Sequence, residues 1–159
     1  MKNAMLTTVL FGLTMLSCQK KEAVSVASPD FIKSDIEKME AAYAKAANAR
    51  DTDAVMPYYA DDAVTYSYEK DPVVGKDAIR ASLVKEFAEM PAGGEIHFDI
   101  KDVFPSSDGN LVVEVGRYSA SNAMGVLVAT GHYMALFEKR DGKYVCVRDM
   151  STPDTPKAD

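Results

Sequence analysis

Residues 41–68 read AAYAKAANARDTDAVMPYYADDAVTYSY, and the order of features in this stretch predicts the fold. It starts in a helix that carries one inward tyrosine, Tyr43, turns at polar residues 50–53 and continues as a short second helix. The β-branched and aromatic residues 63–68 then alternate in the manner of a strand. Asp61 and Asp62 precede this run, and we interpret them as a turn. Helix, corner and strand in this order indicate helices packed on one face of a sheet.

Periodic apolar residues extend this pattern in both directions. Ser28 as a cap and Pro29 as the first helical residue predict where the first helix starts. Apolar residues at steps of three and four predict a buried stripe along it, and the same spacing predicts a third helix from Ile79 to Met90. Four further strands are predicted over residues 96–101, 111–120, 126–138 and 144–150. Helices followed by an antiparallel meander are typical of an α+β fold.

The strand over residues 126–138 is apolar on both of its faces. One face carries Val128, His132, Met134 and Leu136, and the other carries Leu127, Tyr133, Ala135 and Phe137. One apolar face would pack against the helices and line a pocket. The apolar side chains of the second face must then be buried by another surface. A homodimer is the simplest arrangement that supplies it.

The N-terminal segment predicts export. Residues 1–17 combine Lys2 with an apolar run of about a dozen residues, which is typical of a secretory signal and shorter than the roughly 20 residues of a membrane-spanning helix. Ser17-Cys18 resembles the lipobox of bacterial lipoproteins, which predicts lipidation of Cys18; an ordinary secretory signal is the alternative. The predicted organisation is a removed signal (1–17), a lipid-anchored tether (18–28), one domain (29–151) and a disordered tail (152–159). The domain would face the periplasm or the cell surface.

Composition excludes several classes of function. The net charge is −6, with acidic and basic residues interspersed, which argues against a nucleic-acid partner. The histidines, His97 and His132, are far apart in the sequence, so we expect neither a metal site nor a cofactor. After removal of the signal and acylation of Cys18, Cys146 is the remaining free thiol, and we expect it to be a small buried hydrophobic residue.

Five short motifs, in order, resemble the SnoaL-like branch of the nuclear transport factor 2-like superfamily. They are Asn48-Ala49-Arg50-Asp51, Tyr59-Ala60-Asp61-Asp62-Ala63, Val74-Gly75-Lys76-Asp77-Ala78-Ile79, the pair Gly116-Arg117-Tyr118 and Gly131-His132-Tyr133, and Asp141-Gly142-Lys143-Tyr144 followed by Asp149. The resemblance implies a cone-shaped, curved antiparallel sheet wrapped by three N-terminal helices around an internal pocket. It does not specify a reaction.

The same superfamily includes ketosteroid isomerase, whose site can be compared residue by residue. Tyr43 corresponds to that family's oxyanion-stabilising tyrosine. Ser67 stands where that family has its catalytic base, and a serine is no useful base at its free pKa. The family's protonated aspartate corresponds to His132. The resemblance therefore argues against steroid isomerisation, while Tyr43 and His132 together would suit another reaction of a carbonyl compound. They could equally be hydrogen-bonded core residues.

Further candidate residues lie on the predicted strands. Arg117 either enters the pocket, where it would bind a carboxylate, or lies on the rim paired with an acid. Asp149 is either a structural ion-pair residue or a pocket carboxylate that replaces the missing base. Tyr66 and Met134 would complete a largely apolar lining together with Ser67.

Three functions remain open on this basis. The first is a domain that binds a small, largely apolar molecule in its pocket. The second is a lyase, isomerase or cyclase that acts on a carbonyl substrate through His132 and Tyr43, with Asp149 as a further catalytic candidate. The third is a purely structural dimerisation module.

Overall fold

The computed structural model describes residues 27–155. The predicted signal, Cys18, the tether up to residue 26 and the end of the tail, residues 156–159, lie outside the described residues. Within residues 27–155, no helix has the length and apolar character needed to cross a membrane.

Three helices lie before or between the strands. Helix α1 spans Pro29–Asn48, α2 spans Thr52–Val55 and continues as a 3-10 turn over Met56–Tyr58, and α3 spans Lys76–Glu89. The Ser28 side chain accepts a hydrogen bond from the Phe31 amide, and the Asp51 side chain caps α2 in the same way. The predicted start of α1 is therefore confirmed, and the predicted short second helix begins directly after Asp51.

Six strands form one mixed sheet in the order β2-β1-β6-β5-β4-β3. They are β1 (Tyr59–Ser67), β2 (Val73–Val74), β3 (Glu95–Pro105), β4 (Leu111–Ser121), β5 (Leu127–Arg140) and β6 (Lys143–Pro153). Neighbouring strands run antiparallel except β1 and β6, which are parallel. The α+β class and the helix-covered sheet are confirmed, while the expectation of a fully antiparallel sheet is wrong at this one pairing.

Two boundaries differ from the sequence prediction. Asp61 and Asp62 lie inside β1 rather than in a turn, at an irregularity of the β1–β6 register between Tyr59 and Val64. An irregular strand can expose two successive polar residues while it continues as a strand, and both aspartates are exposed. At the other end, β6 continues through Pro153 because residues 151–153 pair with β5, so the start of the predicted tail is ordered strand.

The corner after α1 is held to the start of β3. Asn48 accepts a hydrogen bond from the Ile96 amide at 2.7 Å and donates one to the Ile96 carbonyl at 2.9 Å. Arg50 adopts a positive φ of 57° and donates to the Asn48 and Pro91 carbonyls. These bonds fix α1 across the sheet, so that its apolar stripe and the sheet's inner face enclose the core.

The core lies between this inner face and the three helices. Ile32 and Ile36 of α1 and Phe137 of β5 are among its most deeply buried side chains. Cys146 is fully buried, as expected for a small hydrophobic residue. No helix from residues 27–155 covers the opposite face of the sheet, which is referred to below as the outer face.

Candidate functional site

A cavity of about 210 Å³ opens between α1, α3 and the inner face of the sheet. Every strand except β2 contributes to its wall. Its lining is Glu40, Tyr43, Tyr58, Tyr59, Thr65, Ser67, Ile79, Ser82, Leu83, Glu86, Ile96, Phe98, Tyr118, Tyr133, Ala135, Asp149, Met150 and Ser151. The lining thus combines aromatic rings with carboxyl groups.

Three carboxyl groups on or behind this wall each accept a hydrogen bond from a tyrosine. Tyr58 donates to Glu40 at 3.1 Å. Tyr59 donates to Asp149 at 2.9 Å. Tyr133 donates to Glu114 at 2.6 Å, behind the cavity wall.

Burial disfavours the charged form of all three carboxyls. It raises the pKa of Glu40 to about 8, with the nearby Glu114 and Asp149 charges acting in the same direction and the Tyr58 hydrogen bond opposing them. Burial raises the pKa of Glu114 to about 7, against the Tyr133 hydrogen bond. The pKa of Asp149 rises to about 6, again through burial, against the Tyr59 hydrogen bond. The site therefore holds carboxyl groups that change protonation near neutral pH.

Tyr43 lies beside this network, on the turn of α1 that follows Glu40. Its ring contacts those of Tyr58, Tyr59 and Phe98, with centroids 4.7, 6.3 and 5.6 Å away. Burial raises the pKa of the Tyr43 phenol, which therefore remains protonated and can act as a hydrogen-bond donor at neutral pH.

Two Gly-X-Tyr motifs shape the sheet side of the cavity. Gly116 pairs with Tyr133, and Tyr118 pairs with Gly131, across the β4–β5 ladder. A Cβ atom on Gly116 would lie 2.4 Å from the Tyr133 ring, and one on Gly131 would lie 2.4 Å from the Tyr118 ring. Each tyrosine ring thus lies directly over the glycine of the other motif, where any other residue would collide with it.

The structure divides the residues predicted for the site into two groups. Tyr43, Ser67 and Asp149 line the cavity together. Asp149 pairs with Thr65, one inward position before Ser67, so a carboxyl lies on the strand next to the one from which the base is missing.

The other predicted residues lie elsewhere. Tyr66, Arg117, His132 and Met134 alternate with inward residues, do not line the cavity and belong to the outer face. His132 and Arg117 both contact Asp154, with His132 Nε2 3.3 Å from its Oδ1. The expectation that His132 faces Tyr43 is wrong, because β5 turns Tyr133 inward instead. For Arg117, the alternative of an ion pair outside the cavity is the one observed.

The burial of two acidic residues was not predicted from the sequence. Glu40 is 4% exposed and Glu114 is 0% exposed. A signal was present for both. Glu40 lies at helical spacing from Ile36 and Tyr43, and Glu114 alternates with Val112 and Gly116. The sequence did not show which face of β4 is buried, however, because the other face, with Val113 and Val115, is equally apolar.

A second depression, of about 610 Å³, lies between α1 and the β5–β6 hairpin. Its walls include Phe31, Met39 and Tyr144, and exposed lysines stand at its edge. It contains none of the buried carboxyl groups described above. Among residues 27–155, no group of three or more histidine, cysteine or acidic side chains is positioned to hold a metal ion.

Comparison with known proteins places this fold and cavity in a family. A sequence model of the SnoaL-like domain matches residues 39–147, more than half of the chain, so the protein belongs to the SnoaL-like domain family. No curated protein matches its sequence.

Solved structures agree with this assignment. A nuclear transport factor 2-like protein from Shewanella oneidensis is similar, with 25% identity, a TM-score of 0.64, and coverage of 76% of this chain and 98% of that one. A ketosteroid isomerase-like protein from Erwinia carotovora atroseptica shares 24% identity, with a TM-score of 0.60 and coverage of 77% and 96%. A cystatin-like-fold domain from Nostoc punctiforme shares 12% identity, with a TM-score of 0.71 and coverage of 82% of each chain. The last two show the fold alone.

The buried carboxyls predict a pH-dependent stability. Glu40 has a pKa of about 8 in the folded protein against an ordinary value of 4.5. The unfolded chain therefore releases this proton first as the pH rises, and the free energy of unfolding falls from pH 4.5 to about 8. Replacing Glu40 with Gln should remove part of this fall, on the order of 3 kcal/mol by pH 8. The fall that remains in this variant would come from Glu114 and Asp149, whose pKa values are also raised.

Urea unfolding between pH 4.5 and 9 measures this dependence. Glu37→Gln, on the exposed side of the same helix, is the matched control and should follow the wild-type curve. A wild-type stability that does not decline over this range, or an equal effect of the two substitutions, would contradict the assignment.

Proposed function

We propose that this SnoaL-like domain binds a small molecule in the cavity between α1, α3 and the sheet. The observation that carries the proposal is the cavity wall, where Glu40, Asp149 and Tyr43 lie among aromatic rings. A few polar groups directed into a concave, largely aromatic site are typical of small-molecule binding. The abundance of carboxyl and phenol groups replaces the earlier expectation of a largely apolar lining.

A second candidate function is proton transfer on a bound carbonyl compound, as in isomerases and lyases. Asp149 favours it, because a cavity carboxyl with a pKa of about 6 is ionised at neutral pH and still basic enough to take a proton. Tyr43 would donate a hydrogen bond to the developing oxyanion. Asp149, rather than His132, is thus the base in this candidate mechanism.

Cyclohexanone in D₂O tests binding and proton transfer together by NMR. We expect cavity resonances to shift on addition of the ketone, and the shifts to be lost in Ser67→Leu, which fills the cavity edge. Proton transfer would also replace the ketone's α-hydrogens with deuterium, at a rate that rises with pH around a midpoint near 6 as Asp149 ionises. Asp149→Asn should slow this exchange about 100-fold or more while binding persists.

His132→Ala and Ser119→Leu, both on the outer face, are the controls and should behave as wild type. Binding without protein-dependent exchange would reject the second candidate alone. Cavity shifts that survive in Ser67→Leu would show that the ketone binds elsewhere.

We further propose that the outer face pairs with a second copy of the chain. Tyr66 pairs with Met150, Met150 with Met134, and Met134 with Val115, so one apolar row crosses four strands. The first three of these side chains are 40%, 51% and 43% exposed. A contiguous exposed apolar row on a sheet face is typical of a protein–protein contact. This surface supports the homodimer, and also a structural dimerisation module if the cavity proves unused.

Sedimentation equilibrium tests the dimer. Met134→Lys places a charge in the centre of the row and should shift the protein from dimer to monomer, because the charge would have to lose its water in the contact. Met124→Lys, in the exposed β4–β5 loop, is the control and should remain dimeric. A monomeric wild type, or a Met134→Lys protein that remains dimeric, would argue against this face.

We also propose that the domain is exported and attached to a bacterial membrane through a lipid on Cys18. The proposal is supported by the apolar run before Ser17-Cys18 and by the polar residues that follow it. Growth of the expressing bacterium with an alkyne fatty acid should label the wild-type protein in the membrane fraction. Cys18→Ala should be unlabelled. An unlabelled wild-type protein would leave an ordinary secretory signal as the explanation.

A further inference from the structure

The charged side chains that line the cavity are all acidic. Glu40, Glu86 and Asp149 face it, and among residues 27–155 no lysine, arginine or histidine does. Within the same range, neither Glu40, Asp149 nor the neighbouring Glu114 takes part in an ion pair. Buried carboxylates normally lie beside a positive charge or a metal ion. Here the described residues offer each carboxyl only a tyrosine hydroxyl, so its charge would be uncompensated once it ionises.

One oxygen of Glu40 marks where a compensating group would bind. Glu40 is 4% exposed and lines the cavity. Its Oε2 atom accepts the hydrogen bond from Tyr58, whereas its Oε1 atom accepts none from a described residue. Glu114, behind it, also has one oxygen, Oε2, that is buried without a partner within residues 27–155. When both carboxyls are ionised, acceptors therefore outnumber donors on this side of the cavity.

Aromatic rings form much of the remaining wall. Tyr43, Tyr58, Tyr59, Phe98, Tyr118 and Tyr133 all line the cavity. Phe98 lies at 81° to Tyr43 and at 89° to Tyr133, with centroids 5.6 and 5.5 Å apart. Several rings set at steep angles to one another, beside carboxylates, form the type of cage that binds ammonium groups through the negative faces of the rings.

We propose that the molecule bound in this cavity is a small organic cation, an amine or a quaternary ammonium ion. The proposal rests on the small-molecule function above and specifies the charge of the ligand. The ligand supplies the positive charge that the wall lacks. An organic cation fits better than a metal ion, because no three potential metal ligands are grouped within the described residues and because the aromatic rings attract a diffuse charge over a broad surface.

The pH dependence of ligand affinity provides a second test of this proposal. A bound cation favours the ionised carboxylates, so binding releases protons, and affinity rises as the pH passes through the range from about 6 to about 8 in which Asp149 and Glu40 titrate. The titratable groups around the ligand are Glu40 and Tyr43 of α1, Glu86 of α3, Tyr58 of the 3-10 turn, Tyr59 of β1, Glu114 and Tyr118 of β4, Tyr133 of β5 and Asp149 of β6. A neutral ligand that uses protonated Glu40 as a donor would show the opposite dependence.

Choline and its uncharged isostere 3,3-dimethyl-1-butanol test the proposal, because they differ only in the nitrogen that carries the charge. At pH 8, NMR titration of the mature chain should show choline binding at least about tenfold more tightly than the alcohol. Glu40→Gln and Asp149→Asn should each weaken choline about tenfold and leave the alcohol unchanged. Glu37→Gln, on the exposed side of α1, should leave both unchanged. The two cavity variants are independent, so one remains informative if the other does not fold.

Two results would overturn the assignment. If the alcohol binds as tightly as choline, the cavity accepts small molecules without selecting charge, and the binding function survives while the cation proposal does not. If choline, trimethylamine and tetramethylammonium shift no cavity resonance, or shift them equally in Ser67→Leu, the cation proposal also fails. The cyclohexanone titration then decides separately whether the cavity binds any small molecule.

Discussion

A buried carboxyl group must either accept hydrogen bonds that replace those of water or become protonated. Three carboxyl groups on the inner side of the sheet are subject to this constraint. Glu40, Glu114 and Asp149 each receive a single tyrosine hydroxyl. One neutral donor compensates only part of the lost hydration, so all three pKa values remain raised. Ionisation of these buried carboxyls therefore destabilises the folded domain. This cost is consistent with a site that gains its missing partner when a ligand binds.

The geometry that sustains this interior comes from the crossing of α1 over the sheet. Asn48 bonds both the amide and the carbonyl of Ile96, which ties the end of the helix to the first residues of β3. The helix then carries Glu40 and Tyr43 to the cavity, where the Tyr43 ring contacts Phe98 of β3. Because the two hydrogen bonds of Asn48 restrain both the position and the rotation of the helix, the buried face of α1, which carries Glu40 and Tyr43, stays directed at the cavity.

The sequence was sufficient for most of the scaffold and for two cavity residues, Tyr43 on α1 and Ser67 on β1. Helical spacing placed Tyr43 inward, and the resemblance to ketosteroid isomerase implied that Ser67 stands where that family has its base. The strands were harder, because β4 and β5 are apolar on both faces and a one-residue change of phase exchanges the two sets of side chains. Because of that ambiguity, His132 was wrongly predicted to enter the cavity, and the burial of Glu114 was not predicted. Glu40 was overlooked for a different reason, since an acid within an apolar helical stripe normally lies at its edge, and only the Tyr58 hydroxyl explains its burial.

The reciprocal stacking of two tyrosines on two glycines has a consequence for how such a cavity could change. Gly116 and Gly131 are not part of the lining, yet the rings of Tyr133 and Tyr118 rest on them. A methyl group at Gly116 would displace the Tyr133 ring toward the interior and narrow the cavity, whereas one at Gly131 would also collide with the Thr152 carbonyl of β6. The width of the cavity therefore depends on glycines that do not contact the ligand. Its volume can change while every side chain that lines it stays the same.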